Sequence, residues 1–180
     1  MKKILFVFLL GLFIITGCDN LMNTPTKKVE NLLGKYQKMD EVVTTQLGDT
    51  LLMDAVLSTD QKDKYRQLME RQYKDLVYTV KDESIDGKTA VVEVEIEVYD
   101  YNKAITETED YLLNNSNEFQ DETGNIDTTK YNDYKLNSIE KMNDRVKYTI
   151  NFTLSKVDDE WIVDDLTETE RMKIHGLYAY

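Results

Sequence analysis

Apolar and polar positions change period several times along this chain, and each change marks an element. From Thr26, Val29, Leu32, Leu33, Tyr36, Met39, Val43 and Leu47 recur at spacings of three and four, which predicts one long helix ending at Gly48-Asp49. Leu51 to Leu57 is a short apolar segment with helical character. Ser58, Thr59 or Asp60 can cap a second helix that runs to about Tyr73 and buries Tyr65, Leu68 and Met69. The period then becomes two. Leu76, Tyr78 and Val80 alternate with Val77, Thr79 and Lys81, and Asp86-Gly87 is a hairpin signal. Val92, Val94, Ile96 and Val98 then alternate with Glu93, Glu95 and Glu97, giving an apolar face and an acidic face. At about 3.3 Å per residue, Thr89 to Tyr101 would extend roughly 40 Å. A strand that long is expected to bend at a bulge and curl the sheet.

The second half repeats the scheme. Asn102 is the expected cap of a helix reaching about Asn115, and Ser116 to Thr128 is polar enough to be a mobile loop. Thr129 to Asn143 has helical spacing. Tyr148, Ile150, Phe152 and Leu154 alternate with Lys147, Thr149, Asn151 and Thr153. Asp158-Asp159 turns the chain into a last strand, Glu160 to Leu166, with Trp161 and Val163 inward. Thr167 and Glu170 have capping-box spacing for a short helix that Gly176 can end. The expected class is α+β, with N-terminal helices packed on one face of a curved antiparallel sheet.

The opening differs from all of this. Lys2 and Lys3 precede an apolar run, Ile4 to Thr16, too short for a membrane span of roughly 20 residues. A charged start before a short apolar stretch reads as a secretory signal. Ile15-Thr16-Gly17-Cys18 resembles the lipobox of bacterial lipoproteins, and Cys18 is the only cysteine. That resemblance implies cleavage before Cys18 and a diacylglyceryl group on its sulfur, with palmitate among its acyl chains. Two acyl chains suffice for stable anchoring, at about 0.8 kcal/mol per buried methylene. Residues 1–17 are then a signal peptide, 18–25 a lipidated cysteine and linker, and 26–180 a single domain. The expected location is the extracytoplasmic face of the cell membrane.

Composition narrows the partners. The chain has 22 basic and 34 acidic residues; loss of Lys2 and Lys3 leaves 20 basic. Such an excess of negative charge disfavours nucleic acid, whose phosphates need a basic patch. It equally disfavours lying flat on anionic lipid. With no second cysteine, packing rather than disulfides must supply stability.

The helical layer, the strand "VVEVEIEVYDY" and the closing "YTINFTLSKVDDEWIVDDL" hairpin resemble the nuclear-transport-factor-two-like (cystatin-like) fold. More narrowly, the chain is similar to small lipoproteins of low-GC Gram-positive bacteria that carry such a domain. The resemblance implies a cone formed by sheet and helices, whose mouth often binds a small molecule. Some relatives, the ketosteroid isomerases among them, are enzymes, and others only bind, so fold leaves function open.

An isomerase-like site needs a carboxylate inside the cone. None lies mid-strand in the inward register, and Asp100 reads as a helix cap. His175, the only histidine, sits at a helix end, where a charged imidazole would suit the dipole. Asp121 to Asp127 resembles a calcium loop only loosely, with its glycine misplaced and the distal glutamate missing. No catalytic residue, metal or cofactor is therefore expected. The first expectation is a non-enzymatic binding module for an apolar or amphipathic ligand, lined by Tyr78, Tyr148, Phe152 and Trp161. The alternative is a protein-interaction module of an envelope complex, working through its helices or the Glu93, Glu95 and Glu97 stripe. Three glutamates facing their own copies would repel unless Lys147 or Lys156 answers them, so a monomer is expected.

Overall fold

The computed structural model of the protein describes residues 22–180; residues 1–17 and Cys18 lie outside it. Six helices and four strands run in the order α1 (Pro25–Lys38), α2 (Glu41–Met53), α3 (Thr59–Lys74), β1 (Val77–Asp86), β2 (Thr89–Tyr99), α4 (Tyr101–Asn114), α5 (Thr128–Lys141), β3 (Arg145–Val157), β4 (Glu160–Val163) and α6 (Glu168–His175). The strands form one antiparallel sheet in the order β1-β2-β3-β4. The class is the expected α+β, with the helices packed against the sheet.

Alternation decides the faces. Val92, Val94, Ile96 and Val98 of β2 pair with Phe152, Ile150, Tyr148 and Val146 of β3. This inner face joins one core with Val29, Leu33, Leu68 and Met69 of α1 and α3. On the outer face the acidic stripe is answered within the chain: Lys147 lies 3.2 Å and Lys81 3.4 Å from Glu95, and Arg145 lies 3.0 Å from Glu97.

Three details depart from expectation. The first predicted helix is two, because the chain turns at Met39 (φ +54). Asp40 N–H donates to Lys35 O and Met39 N–H to Tyr36 O, the bonds of a Schellman end. Asp40 then accepts from Val42 N–H to start α2. Glycine usually occupies the left-handed position, so methionine there hid the corner, while Gly48 sits harmlessly inside α2. The bulge falls on β1, between Val80 and Asp82, and β2 is regular against both neighbours. It turns Glu83 inward, where its carboxylate accepts from Thr26 N–H and Oγ1 at the start of α1. Those are unpaired first-turn donors at the positive end of the helix. Last, the segment expected to be a mobile loop is pinned. Phe119, in a 3-10 turn (Ser116–Phe119), is buried edge-on against Tyr111, Tyr131 and Tyr134.

The start of the domain is pinned too. Asn23, expected in the linker, donates through Nδ2 to Asp159 O and accepts from Trp161 N–H. The β3–β4 turn it grips has two left-handed residues, Asp158 and Asp159.

At the other end, fully buried Gln72 of α3 joins three elements. Its Nε2 donates to Tyr99 O (3.0 Å) and His175 O (2.8 Å), and its Oε1 accepts from Tyr99 N–H (2.9 Å). Gly176 closes α6 at φ +69; a Cβ there would lie 2.1 Å from both Gln72 Nε2 and Tyr99 O. Gly176→Ala is expected to destabilise by more than the about 1–2 kcal/mol of left-handed backbone cost alone. The midpoint of a urea unfolding curve measures this.

Candidate functional site

The four aromatic residues expected to share a pocket do not come together around one cavity. Phe152 is 1% exposed within the core. Tyr148 donates its hydroxyl to Tyr178 O and packs edge-on against that ring. Trp161 lies by the Asn23 clasp, with Lys156 over its ring. Tyr78 lines a shallow, polar depression beside α1, with Lys27, Asn31 and Lys38. The physical reason is that side chains of α1 and α3 occupy the concave side of the sheet.

A different cleft lies under α2. This helix is held by one stripe, Val43, Leu47 and Leu51, four residues apart. Beneath it, α1, α3 and α6 converge on a cavity of about 360 Å³, lined by Tyr36, Tyr65, Tyr73, Arg171, Met172 and His175 among others. Tyr36 and Tyr73 meet edge-on with ring centres 5.0 Å apart, and Tyr73 lies 5.7 Å from the His175 ring. Elsewhere buried phenols are paired: Tyr101 donates to Leu68 O and Tyr148 to Tyr178 O. The Tyr36, Tyr65 and Tyr73 rings and the His175 imidazole line this cleft, and none of their polar atoms is a buried group left without a partner. Buried polar groups are normally satisfied, by protein, water or ligand. Three phenols and an imidazole converging on one largely apolar cleft, where they can bond to water or to a ligand, are the arrangement of a ligand site.

The cleft interior is electrically neutral. Burial raises the pKa of Tyr36, against a smaller opposing effect of Arg171. It raises those of Tyr65 and Tyr73 as well. Burial also lowers His175 to about 4, with Glu168 opposing and Arg171 assisting. The charged imidazole expected at a helix end is thus replaced by a neutral one, because loss of water outweighs the dipole. Charge is confined to the rim, where Glu168 and Arg171 lie 3.4 Å apart.

A second cavity, of about 390 Å³, continues along α2 past Tyr65. Thr50, Tyr65 and Leu177 line both. Its walls include Leu51, Leu57, Ile105, Leu136 and Ile139. Asn132, buried there, has no partner for Nδ2.

The cap of α4 is Asp100 rather than Asn102, which lies inside the helix: Asp100 accepts from Lys103 N–H and from the Tyr180 hydroxyl. In the 121–127 segment Asp121 Oδ1 accepts from Thr123 N–H, Thr123 Oγ1 and Asn125 N–H. Among the described residues, no group of three or more His, Cys, Asp or Glu could hold a metal ion. No helix among them is long and apolar enough to cross a membrane.

Comparison with known proteins returned little. The chain matches no family model and no curated protein. Among solved structures it is similar to the crystal structure of YcdA from Bacillus subtilis subsp. subtilis str. 168, named as a lipoprotein candidate, at 15% identity and a TM-score of 0.46. The likeness covers 77% of this chain and 46% of that one, so the chain spans less than half the length of that protein. None of these findings is of a nuclear-transport-factor-two-like protein.

The neutral His175 has a measurable consequence. Its folded pKa, about 4, lies below the ordinary 6.5, so the unfolded chain binds more protons between those values. Its contribution, up to about 3 kcal/mol, is complete above pH 6.5 and is lost as pH falls through 4. Urea unfolding across that window should show wild type losing more stability than His175→Gln.

Proposed function

We propose that this protein is a lipid-anchored, extracytoplasmic binding protein whose ligand site is the cleft beneath α2. The observation that carries the site is the convergence of four hydrogen-bonding side chains, Tyr36, Tyr65, Tyr73 and His175, on one cavity of about 360 Å³. That volume suits a small organic molecule. Aromatic walls provide stacking surface, and the neutral interior favours an uncharged ligand with hydroxyl, carbonyl or ring-nitrogen groups. Binding fits better than turnover. The only carboxylate lining the cleft, Glu168, is exposed and held by Arg171. An imidazole with a pKa near 4 is a weak general base at neutral pH.

The anchor is supported by the sequence: Ile4 to Thr16, then Ile15-Thr16-Gly17-Cys18. A second reading, recognition of an envelope protein, is favoured by Leu52, Met53 and Val56, 80%, 85% and 64% exposed at the end of α2. Crosslinking from Met53 to one partner, above a lipidated control domain, would support it.

Nile red, neutral and planar, is the probe for the cleft. Wild type is expected to bind it with blue-shifted emission. Thr50→Trp, at an exposed position of α2 bordering the cavity, should weaken binding about tenfold or more, 1.4 kcal/mol. Equal binding by both proteins would remove the site. For the anchor, cells fed labelled palmitate should label the wild-type chain. Cys18→Ser should abolish the label and release the protein from the membrane fraction.

A further inference from the structure

The two cavities under α2 differ in chemistry. The first presents three phenols and an imidazole. In the second, the polar side chains on the wall are mostly engaged elsewhere. Asp54 accepts from Val56 and Leu57 N–H, Thr50 Oγ1 donates to Gln46 O, and Lys135 lies over the Tyr131 ring. What remains is aliphatic: Leu51, Leu57, Ile105, Leu136 and Ile139. Asn132 adds one unpaired amide donor, too little to satisfy a polar head or the backbone of a peptide. Both cavities follow the same helix, Val43 and Leu47 bordering the first and Leu51 the second. Val43 to Leu51 is eight residue steps, about 12 Å of helix.

We propose that the two cavities are one site for a single-chain amphiphile with an uncharged polar head, such as a monoacylglycerol or a fatty alcohol. The proposal rests on the reading of the tyrosine–histidine cleft as a ligand site and adds the chemical class. The head hydrogen-bonds to Tyr36, Tyr65, Tyr73 and His175. The tail passes Tyr65 and Leu177 and lies between α2 and the α4–α5 pair. Each buried methylene adds transfer free energy, while the head takes up groups that would otherwise need water. A carboxylate head is disfavoured: in this dry cleft it would meet neutral partners, with its cation, Arg171, outside at the rim.

The test is a series of monoacylglycerols with acetyl, hexanoyl, octanoyl and decanoyl chains, each below its micellar concentration. Displacement of Nile red from the full folded domain is the measurement. Affinity should rise roughly two- to fourfold per methylene until the second cavity is full, then level off. Ile105→Trp and, separately, Leu57→Trp should lower that plateau by about tenfold, because each fills the tail cavity. Circular dichroism confirms that the variants fold. Decanoate should bind at least about tenfold more weakly than monodecanoylglycerol at neutral pH. Nile red binding with no dependence on chain length would overturn the amphiphile and leave the cleft as a small-molecule site. Equal binding of decanoate would overturn the uncharged head. No binding of Nile red or of any monoacylglycerol would overturn both.

Discussion

A single buried amide fixes how the two halves of this molecule meet. Gln72 cannot face water, so its donors and acceptor must be satisfied inside the protein. They are satisfied by Tyr99 at the end of β2 and by His175 at the end of α6. The helical layer, the edge of the sheet and the C-terminal helix are thereby tied at one point. Removing that side chain would strand two carbonyls and an N–H at about 1–3 kcal/mol each. Gly176 is the other half of the constraint, since only a residue without a Cβ leaves space for the amide. The result is positional: the His175 ring is delivered into the space between α1 and α3, beside Tyr73.

That placement separates the cleft from the core, although both are lined by the same residue types. In the core, phenols such as Tyr101 and Tyr148 are closed off by backbone carbonyls. Under α2 they are not. The lid is thin, a helix retained by Val43, Leu47 and Leu51, with Leu52 and Met53 turned to solvent. Low retention by packing is where local opening is cheapest in a folded domain. A neutral interior, a charged rim and a lightly held cover belong together, because each lets an uncharged molecule enter without stranding a charge.

The strands were legible because alternation is local: Val92 to Val98 and Tyr148 to Leu154 each declare their face without reference to anything distant. The capping box at Thr167 was legible for the same reason, while the cap of α3 was narrowed only to Ser58, Thr59 or Asp60, of which Ser58 forms the box. The corner at Met39 was not, since the usual glycine is missing and the apolar spacing runs straight through it. The bulge at Lys81 leaves no mark in a pattern already polar from Lys81 to Ser84. The cleft was hidden by a different limit. Tyr36 and Tyr65 stood on apolar helical stripes and read as core. Nothing in a one-dimensional pattern distinguishes a phenol capped by a carbonyl from one facing a cavity. His175 was visible as the sole histidine, but its neutrality depends on burial contributed by residues far away in sequence. The pocket expected from Tyr78, Tyr148, Phe152 and Trp161 came from a fold resemblance. The helices use that concave space for packing.

The grip of Asn23 on the β3–β4 turn also gives the domain a direction. Five backbone steps separate Cys18 from Asn23, at most about 18 Å of chain. Under the proposed anchoring, a tether at residue 18 would therefore keep the Asp158-Asp159 hairpin within that reach of the lipid surface. Fourteen residues of helix, about 21 Å, separate this end of α1 from the corner at Met39. Moored this way, the hairpin end of the domain would be the tethered end and the corner at Met39 the free one.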